Sequence, residues 1–177
     1  RVYIEKKNST KKRPLGIPST EDKLVQEVVK MILESIYEPN FSDYSHGFRP
    51  NRSCHSALQQ IQNQFTGITW FVEGDIHACF DSFDHHVLVN ILRERIEDEN
   101  FLALIWKMLK AGYMEQWVYN CTFSGTPQGS GVSPMLANIY LSKLDEFAER
   151  LKKEFSKGKS KDNLEYSRAA SKLYYIR

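Results

Sequence analysis

The chain has 177 residues, 41% hydrophobic and 26% charged, with ten Phe and nine Tyr; this apolar mass excludes a disordered tail and suits one domain or one and a half closely associated ones. No apolar run approaches the roughly 18 residues of a membrane span, and the opening RVYIEKK has no signal-peptide pattern, so a cytoplasmic, intracellular protein with no membrane partner is expected. Net charge is only +2, yet residues 1–60 carry ten Lys/Arg against seven Asp/Glu, 61–148 five against eleven and 149–177 nine against four; basic ends around an acidic middle suit a gripped phosphate backbone with metal-binding carboxylates between, or plain solvated charged faces.

In chain order, residues 2–6 and 13–17 read as short strands around the polar turn 8–11, giving a basic hairpin. Ser19 or Thr20 then caps a helix in which Val25, Val28, Val29, Ile32, Leu33 and Ile36 recur at helical spacing, with Glu21 and Asp22 in its first turn and Pro39 as its stop. After a loop over 40–52, Ser53 caps a shorter helix through Ala57, Leu58, Ile61 and Phe65, broken by Gly67. The run Trp70, Phe71, Val72 reads as a buried strand that delivers Asp75 at its carboxyl end. Asp84 caps a helix burying Val87, Leu88, Ile91 and Leu92, and Phe101, Leu104, Ile105, Met108 and Leu109 mark another up to Gly112. Residues 116–120 and 122–124 suggest a strand pair, and Ser133 begins a long helix through Leu136, Ile139, Tyr140, Leu144, Phe147 and Leu151. Beyond it the pattern dissolves into a polar, mobile, basic insertion at about 152–167 that carries Lys153, Lys157, Lys159 and Lys161. This order predicts an α+β fold in which helices back an antiparallel sheet.

Several residue types in these positions carry chemistry. A carboxylate at a strand end, Asp75, is a natural Mg²⁺ ligand, but magnesium keeps positions for water and substrate phosphates and needs a second carboxylate from elsewhere; a turn or helix cap is the alternative. Gly125, Pro127, Gly129 and Gly131 make a loop whose backbone can approach a nucleotide closely, with Gln128 as an uncharged two-way hydrogen-bonding amide, or form a plain turn before the next helix. Lys12 and Arg13 on the hairpin can clamp a triphosphate, with Arg13 taking the larger share, unless they are ordinary surface charge. Phe83 reads as a core aromatic, and Asp81 and Asp84 as turn and cap residues. His85 and His86 are adjacent, so on a helix they point about a hundred degrees apart and do not share one metal. Cys54, Cys79 and Cys121 are odd in number and widely spaced, matching neither a zinc pattern nor a disulfide framework, and reduced, buried thiols are expected.

Taken together, Asp75 with Phe80 five positions on, GTPQG at 125–129, RPLGIP at 13–18 and GFRPNRS at 47–53 resemble the reverse transcriptases, above all those encoded by group II introns, in the family's order over nearly the whole chain. The resemblance implies a right-hand polymerase with fingers at 1–70 and a partial palm at 71–177. It implies templated dNTP addition by two-metal catalysis with two Mg²⁺ ions, an RNA template and primer, and intron RNA as a further partner in a maturase role. On the same ground Asp75 is the catalytic carboxylate and, with the carbonyl of Ile76, the metal ligand. Lys12, Arg13, Phe80 and Gln128 would bind nucleotide, the Phe80 ring excluding a 2′ hydroxyl. Arg49, Arg52, Gly125, Pro127, Gly129, Lys153, Lys157, Lys159 and Lys161 would touch template or intron RNA, although the loop of Arg49 and Arg52 could instead merely pack fingers against palm.

In the family a strand ending in Tyr-Ala-Asp-Asp follows the place taken here by LYYIR at 173–177. The second catalytic carboxylate pair is therefore expected to be missing, and this chain by itself to be inactive or nearly so. A non-catalytic RNA-binding maturase module is the alternative, and a metal-dependent phosphohydrolase a third reading. Exposed apolar palm surface would favour self-association, as in a homodimer.

Overall fold

The computed structural model describes residues 2–5, 12–68, 70–126, 130–156 and 173–177, with the backbone alone at 13, 14 and 156. Its elements are β1 (Val2–Glu5), β2 (Lys12–Leu15), α1 (Thr20–Tyr37), α2 (Cys54–Gln64), α3 (Cys79–Ser82), α4 (His85–Arg93), α5 (Glu99–Lys110), β3 (Tyr113–Glu115), β4 (Val118–Asn120) and α6 (Ser133–Ser156). They divide into two compact units, one of Arg1–Pro39 with Asp75–Tyr140, the other of Asn40–Gly74 with Leu141–Arg177.

The first unit is built on helices started by local caps. The Ser19 hydroxyl accepts the Asp22 N–H at the head of α1, with Glu21 and Asp22 against the positive helix end. Val29, Leu33 and Tyr37 are buried, a narrower stripe than the sequence suggests, because Val25, Val28 and Ile32 stay exposed. A 3₁₀ turn at Glu38–Asn40 carrying Pro39 follows α1. The core is completed by Leu88, Val89, Ile91 and Leu92 of α4, by Leu102, Ile105 and Leu109 of α5, and by Met135, Leu136, Ala137 and Ile139 of α6. The Tyr37 hydroxyl donates to the Leu92 carbonyl at 3.2 Å, pinning α1 to α4. Val87 and Leu104, expected inside, are exposed.

At the head of α4 the Asp84 carboxylate accepts the N–H groups of His86 (2.8 Å) and Val87 (3.0 Å). The Val87 bond first, and then that of His86, holds this carboxyl below its ordinary value. Its stabilising effect is therefore complete above the unfolded value of about 4 and is lost as pH falls through the depressed folded value. Asp84→Asn keeps the capping oxygen without the titration. Thermal unfolding compared at pH near 5 and near 2.5 should show a larger loss for the wild type than for this variant.

The expected antiparallel pairing is present, but in the described residues it does not extend into one sheet. Among the described residues there are two separate antiparallel hairpins, β1–β2 and β3–β4. In the first, Val2 faces Leu15 and Glu5 faces Lys12, and the Tyr3 hydroxyl donates to the Glu115 carboxylate. In the second, Tyr113 faces Asn120 and Glu115 faces Val118, so the pair forms upstream of its expected place. Gln116 and Trp117, at φ 49° and 65°, make a two-residue turn whose positive φ values match the twist of the flanking strands. Trp70, Phe71 and Val72, expected as a buried strand, lie outside any ladder and are 88%, 69% and 92% exposed. A strand is stabilised through a hydrogen-bonded neighbour, and among the described residues none pairs with this segment.

The second unit has a polar interior. Ser45, His46, Arg49 and Asp145 are buried there, with Phe41 as the one fully buried apolar side chain among the described residues of this unit. Ser53 and Ser56 form a reciprocal capping box at the head of α2, a helix that buries none of its residues fully. The 173–177 segment lies along 44–46, the Arg177 N–H donating to Tyr44 O (2.7 Å) and the His46 N–H to Arg177 O (2.6 Å). α6 continues through 152–156, where a polar insertion was expected to begin. All three cysteines are free, but Cys54 and Cys121 are exposed rather than buried; one opens a helix with no fully buried residue and the other follows β4. Among the described residues no helix is long and apolar enough to cross a membrane.

Candidate functional site

The two motif stretches of the first unit close on each other. Gly125 N–H donates to the Phe83 carbonyl and Thr126 N–H to the Phe80 carbonyl, both at 2.7 Å, while the Ser124 hydroxyl donates to the Asp81 carbonyl at 3.0 Å. The buried His85 ring completes the clasp, its Nε2 lying 2.6 Å from the Gly125 carbonyl. A carbonyl only accepts, so Nε2 carries the proton. The chain turns at Gly125 with φ +78°, and an added Cβ would stand 2.4 Å from the Phe80 carbonyl oxygen, which is why the position takes glycine. Phe83 is core, tilted against Tyr140 at 4.6 Å between centroids. Phe80, half-buried, meets Phe83 edge-on at 6.3 Å.

On the far side of the loop, Gln26 of α1 holds the chain as it re-emerges at 130. Its Oε1 accepts the Ser130 hydroxyl at 2.9 Å and the Gly131 N–H at 3.2 Å. A cavity of about 390 Å³ lies beside this contact, lined by Gly16, Ile17 and Pro18 of the RPLGIP motif, by Gln26 and Ser130, and by Tyr113 of the β3–β4 hairpin. That volume falls at the lower end of the range of small-molecule pockets. Pro127, Gln128 and Gly129 themselves lie outside the described residues, as do Lys157, Lys159 and Lys161 and the side chain of Arg13. Lys12 is exposed on β2 and Lys153 near the end of α6.

Asp75 and Ile76 are exposed, in a stretch without regular structure that ends where Ala78, at φ 49°, leads into α3. Among the described residues no three His, Cys, Asp or Glu side chains gather closely enough to hold a metal ion. Magnesium uses one or two carboxylates and keeps several waters; an accessible lone carboxylate fits one such ligand, not a complete site. The histidines are spent separately, His85 on the Gly125 carbonyl and His86 against Trp106 at 4.7 Å.

The GFRPNRS motif belongs to the second unit, where its arginines brace a loop. Arg49 is 8% exposed; its Nη1 donates to the carbonyls of Ser42 (2.6 Å) and Ser45 (2.9 Å), and its guanidinium lies 5.4 Å from the centre of the Phe41 ring. Arg52 keeps more of its surface and donates to the Asp43 carbonyl (2.6 Å) and carboxylate (2.9 Å). From the other side Arg177 holds Asp145 with three bonds, at 3.0, 3.1 and 2.6 Å, and donates to the Ser45 hydroxyl at 2.9 Å. Inside this frame Phe48 and Asn51 take φ 53° and 58°. Asn tolerates that conformation, whereas for Phe it costs on the order of 1–3 kcal/mol and persists only where the surroundings impose it.

Sequence reasoning did not find Gln26, Thr126 or His85 as parts of the clasp. His85 carried a signal, a histidine directly after a cap, but was weighed only as a metal ligand. Gln26 is one polar side chain on a helix among many and carried none.

The sequence matches the family described as reverse transcriptase (RNA-dependent DNA polymerase) over residues 4–162, and the chain belongs to that family. Within it, the group II intron proteins stand out. The chain is 59% identical over 157 residues to the group II intron-encoded protein LtrA of Lactococcus lactis subsp. cremoris, covering 89% of this chain and 26% of that protein. It is 57% identical over 155 residues to an uncharacterized 91 kDa protein in the cob intron of Schizosaccharomyces pombe, covering 88% of this chain and 19% of that one. Protein YkfC of Escherichia coli is 40% identical over 171 residues, or 94% of this chain and 44% of YkfC. The chain thus spans about a quarter of the first of these relatives and about a fifth of the second.

Proposed function

We propose that the chain forms the fingers (1–70) and part of the palm (71–177) of an RNA-directed DNA polymerase of group II intron type, which adds dNTPs to a primed RNA template and holds intron RNA in a maturase role. The observation that carries this reading is the clasp of Gly125 and Thr126 onto Phe80–Phe83, which brings two family motifs to one place. The reaction is attack of a primer 3′ hydroxyl on the α-phosphate with departure of pyrophosphate. The Asp75 carboxylate and Ile76 carbonyl are the proposed ligands of Mg²⁺, which supplies nucleophile activation and charge neutralisation at the phosphates. Phe80 stands flat against the sugar and rejects a 2′ hydroxyl. Lys12 and Arg13 clamp the triphosphate by charge-assisted bonds, and Gln128 bonds nucleotide or template backbone. Gly125, Pro127 and Gly129 let that backbone approach, and Arg49, Arg52, Lys153, Lys157, Lys159 and Lys161 serve the RNA, Arg49 by shaping its loop.

With Asp75 as one of three expected carboxylates, the 177-residue chain is proposed to bind RNA and to polymerise negligibly. The alternative of a purely RNA-binding maturase module draws on the charge of the second unit, twelve Lys/Arg against eight Asp/Glu. Primer extension with this chain, primed RNA, dNTPs and Mg²⁺ should give no product above background. RNA affinity measured alongside should fall about a thousandfold between 50 and 200 mM salt if half a dozen phosphates are contacted. Robust extension would show that the catalytic set has been misplaced, and a salt-independent affinity would remove the basic RNA surface.

A further inference from the structure

We propose that the cavity of about 390 Å³ lined by the head of α1, the end of α5 and the β3–β4 hairpin binds a small organic cation, a single ammonium group carried on an aromatic body. This goes beyond the polymerase reading and does not depend on it. The walls are largely apolar, from Ile17, Pro18, Met108 and Met114 together with Tyr113 and Tyr119. Ile17, Met114 and Tyr119 among them leave much of their surface in water, and the apolar part of a ligand would cover it. Thioethers favour an aromatic ring beside them, and tyrosine rings attract a cation to their faces.

Parts of the wall are fixed before any ligand arrives. The Tyr119 hydroxyl donates to the Ala111 carbonyl at 3.2 Å. Gly112, at φ +70°, lies so close to the same side chain that an added Cβ would stand 2.7 Å from its hydroxyl oxygen. Gln26 is held by the Ser130 hydroxyl and the Gly131 N–H. Groups already ordered lose little freedom on binding.

Charge sets the sign of the ligand. Asp22 is the one charged side chain among the described residues that line the cavity. Its Oδ2 accepts the Ser19 hydroxyl at 2.6 Å, and Oδ1 has no hydrogen-bond partner among the described residues. Met108 and Ala111 bring the carboxyl end of α5 to the same cavity, and that end of a helix carries partial negative charge. Lys107 and Lys110 of this last turn do not line it; the Lys110 ammonium lies instead over the Trp106 ring, 5.1 Å from its centre. An anion would meet the Asp22 carboxylate with no lining cation to offset it, whereas an ammonium group finds a carboxylate oxygen beside an apolar wall.

The test uses the whole 177-residue chain, labelled with nitrogen-15, and two ligands of one shape: benzylamine, charged at neutral pH, and benzyl alcohol, which is not. Amide shifts of Gly16, Gly112 and Ser130 report the cavity, and those of the buried Leu88 and Leu92 report the fold of the same unit. Benzylamine should give saturable shifts at the cavity positions and bind about fivefold more tightly than benzyl alcohol, the size expected of a pair with an exposed carboxylate. Asp22→Asn keeps an oxygen for the Ser19 hydroxyl and should bind the two ligands equally, whereas Asp22→Glu should keep the preference for the amine. Equal binding of both ligands by the wild type overturns the cationic site, as does a preference that survives Asp22→Asn while Leu88 and Leu92 stay unmoved. Shifts that never saturate, or that spare the cavity positions, overturn the cavity as a binding site. Each of these failures leaves primer extension and RNA affinity, and with them the polymerase reading, untouched.

Discussion

Replacing Gly125 with alanine should destabilise the first unit by about 3 kcal/mol or more, from backbone strain at positive φ together with overpacking. The new Cβ would stand 2.4 Å from the Phe80 carbonyl oxygen and 2.6 and 2.7 Å from the Cα and C of Asp81. All three are backbone atoms of a short segment fixed by its own hydrogen bonds, so no flexible side chain can move aside. Relief requires breaking the bonds from Gly125 and Thr126 to Phe83 and Phe80, and with them the approach of the loop to the Phe80 ring. Urea unfolding should show the lower midpoint, and amide exchange at 125 and 126 should accelerate well beyond that of the α4 and α5 core. An alanine variant as stable as the wild type would mean that the loop does not take this turn.

The second large effect belongs to Arg177→Ala. Asp145 keeps only 4% of its side chain exposed and Arg177 only 18%; stripping the cation leaves a buried carboxylate without compensation, which typically costs about 3–5 kcal/mol. The loss should be confined to the second unit, with faster exchange at Tyr44 and His46 and little change in α4 and α5. Removing both charges with Asp145→Ala in the same chain should recover part of the loss, because the stranded charge is then gone. Equal damage from the single and double variants would show that packing by the arginine stem outweighs its charge.

What could be read from the sequence was what neighbours along the chain decide. Ser19, Ser53 and Asp84 cap helices because a side-chain oxygen reaches an N–H two or three residues on, and the pattern alone reveals it. The stripe in α1 was read too wide, since spacing shows which residues share a face but not how much of that face meets a partner. The apolarity of Trp70–Val72 predicts a buried strand, yet a ladder is a property of two segments. The β3–β4 turn was displaced because Gln116 and Trp117 lack the Asn or Gly that usually marks such a turn.

The candidate site shows the same division. Gly16, Ile17 and Pro18 of RPLGIP share a cavity with Ser130, while the hydrogen bonds that unite Gly125 and Thr126 with Phe80–Phe83 run through backbone atoms and the clasp is completed by His85, where residue type says little. Arg49 illustrates the opposite case. A basic residue in a recognisable motif reads as a contact for RNA, while its geometry shows a guanidinium turned inward onto carbonyls.

The polar interior of the second unit sets how it answers temperature. Exposure of apolar surface raises the heat capacity of unfolding and exposure of polar surface lowers it, so opening a unit whose buried side chains among the described residues are Ser45, His46, Arg49 and Asp145, with Phe41 as the apolar one, carries a small increment. Its free-energy curve is correspondingly flat, with little of the weakening on cooling that marks an oil-like core, and the helical unit beside it in sequence has the steeper dome.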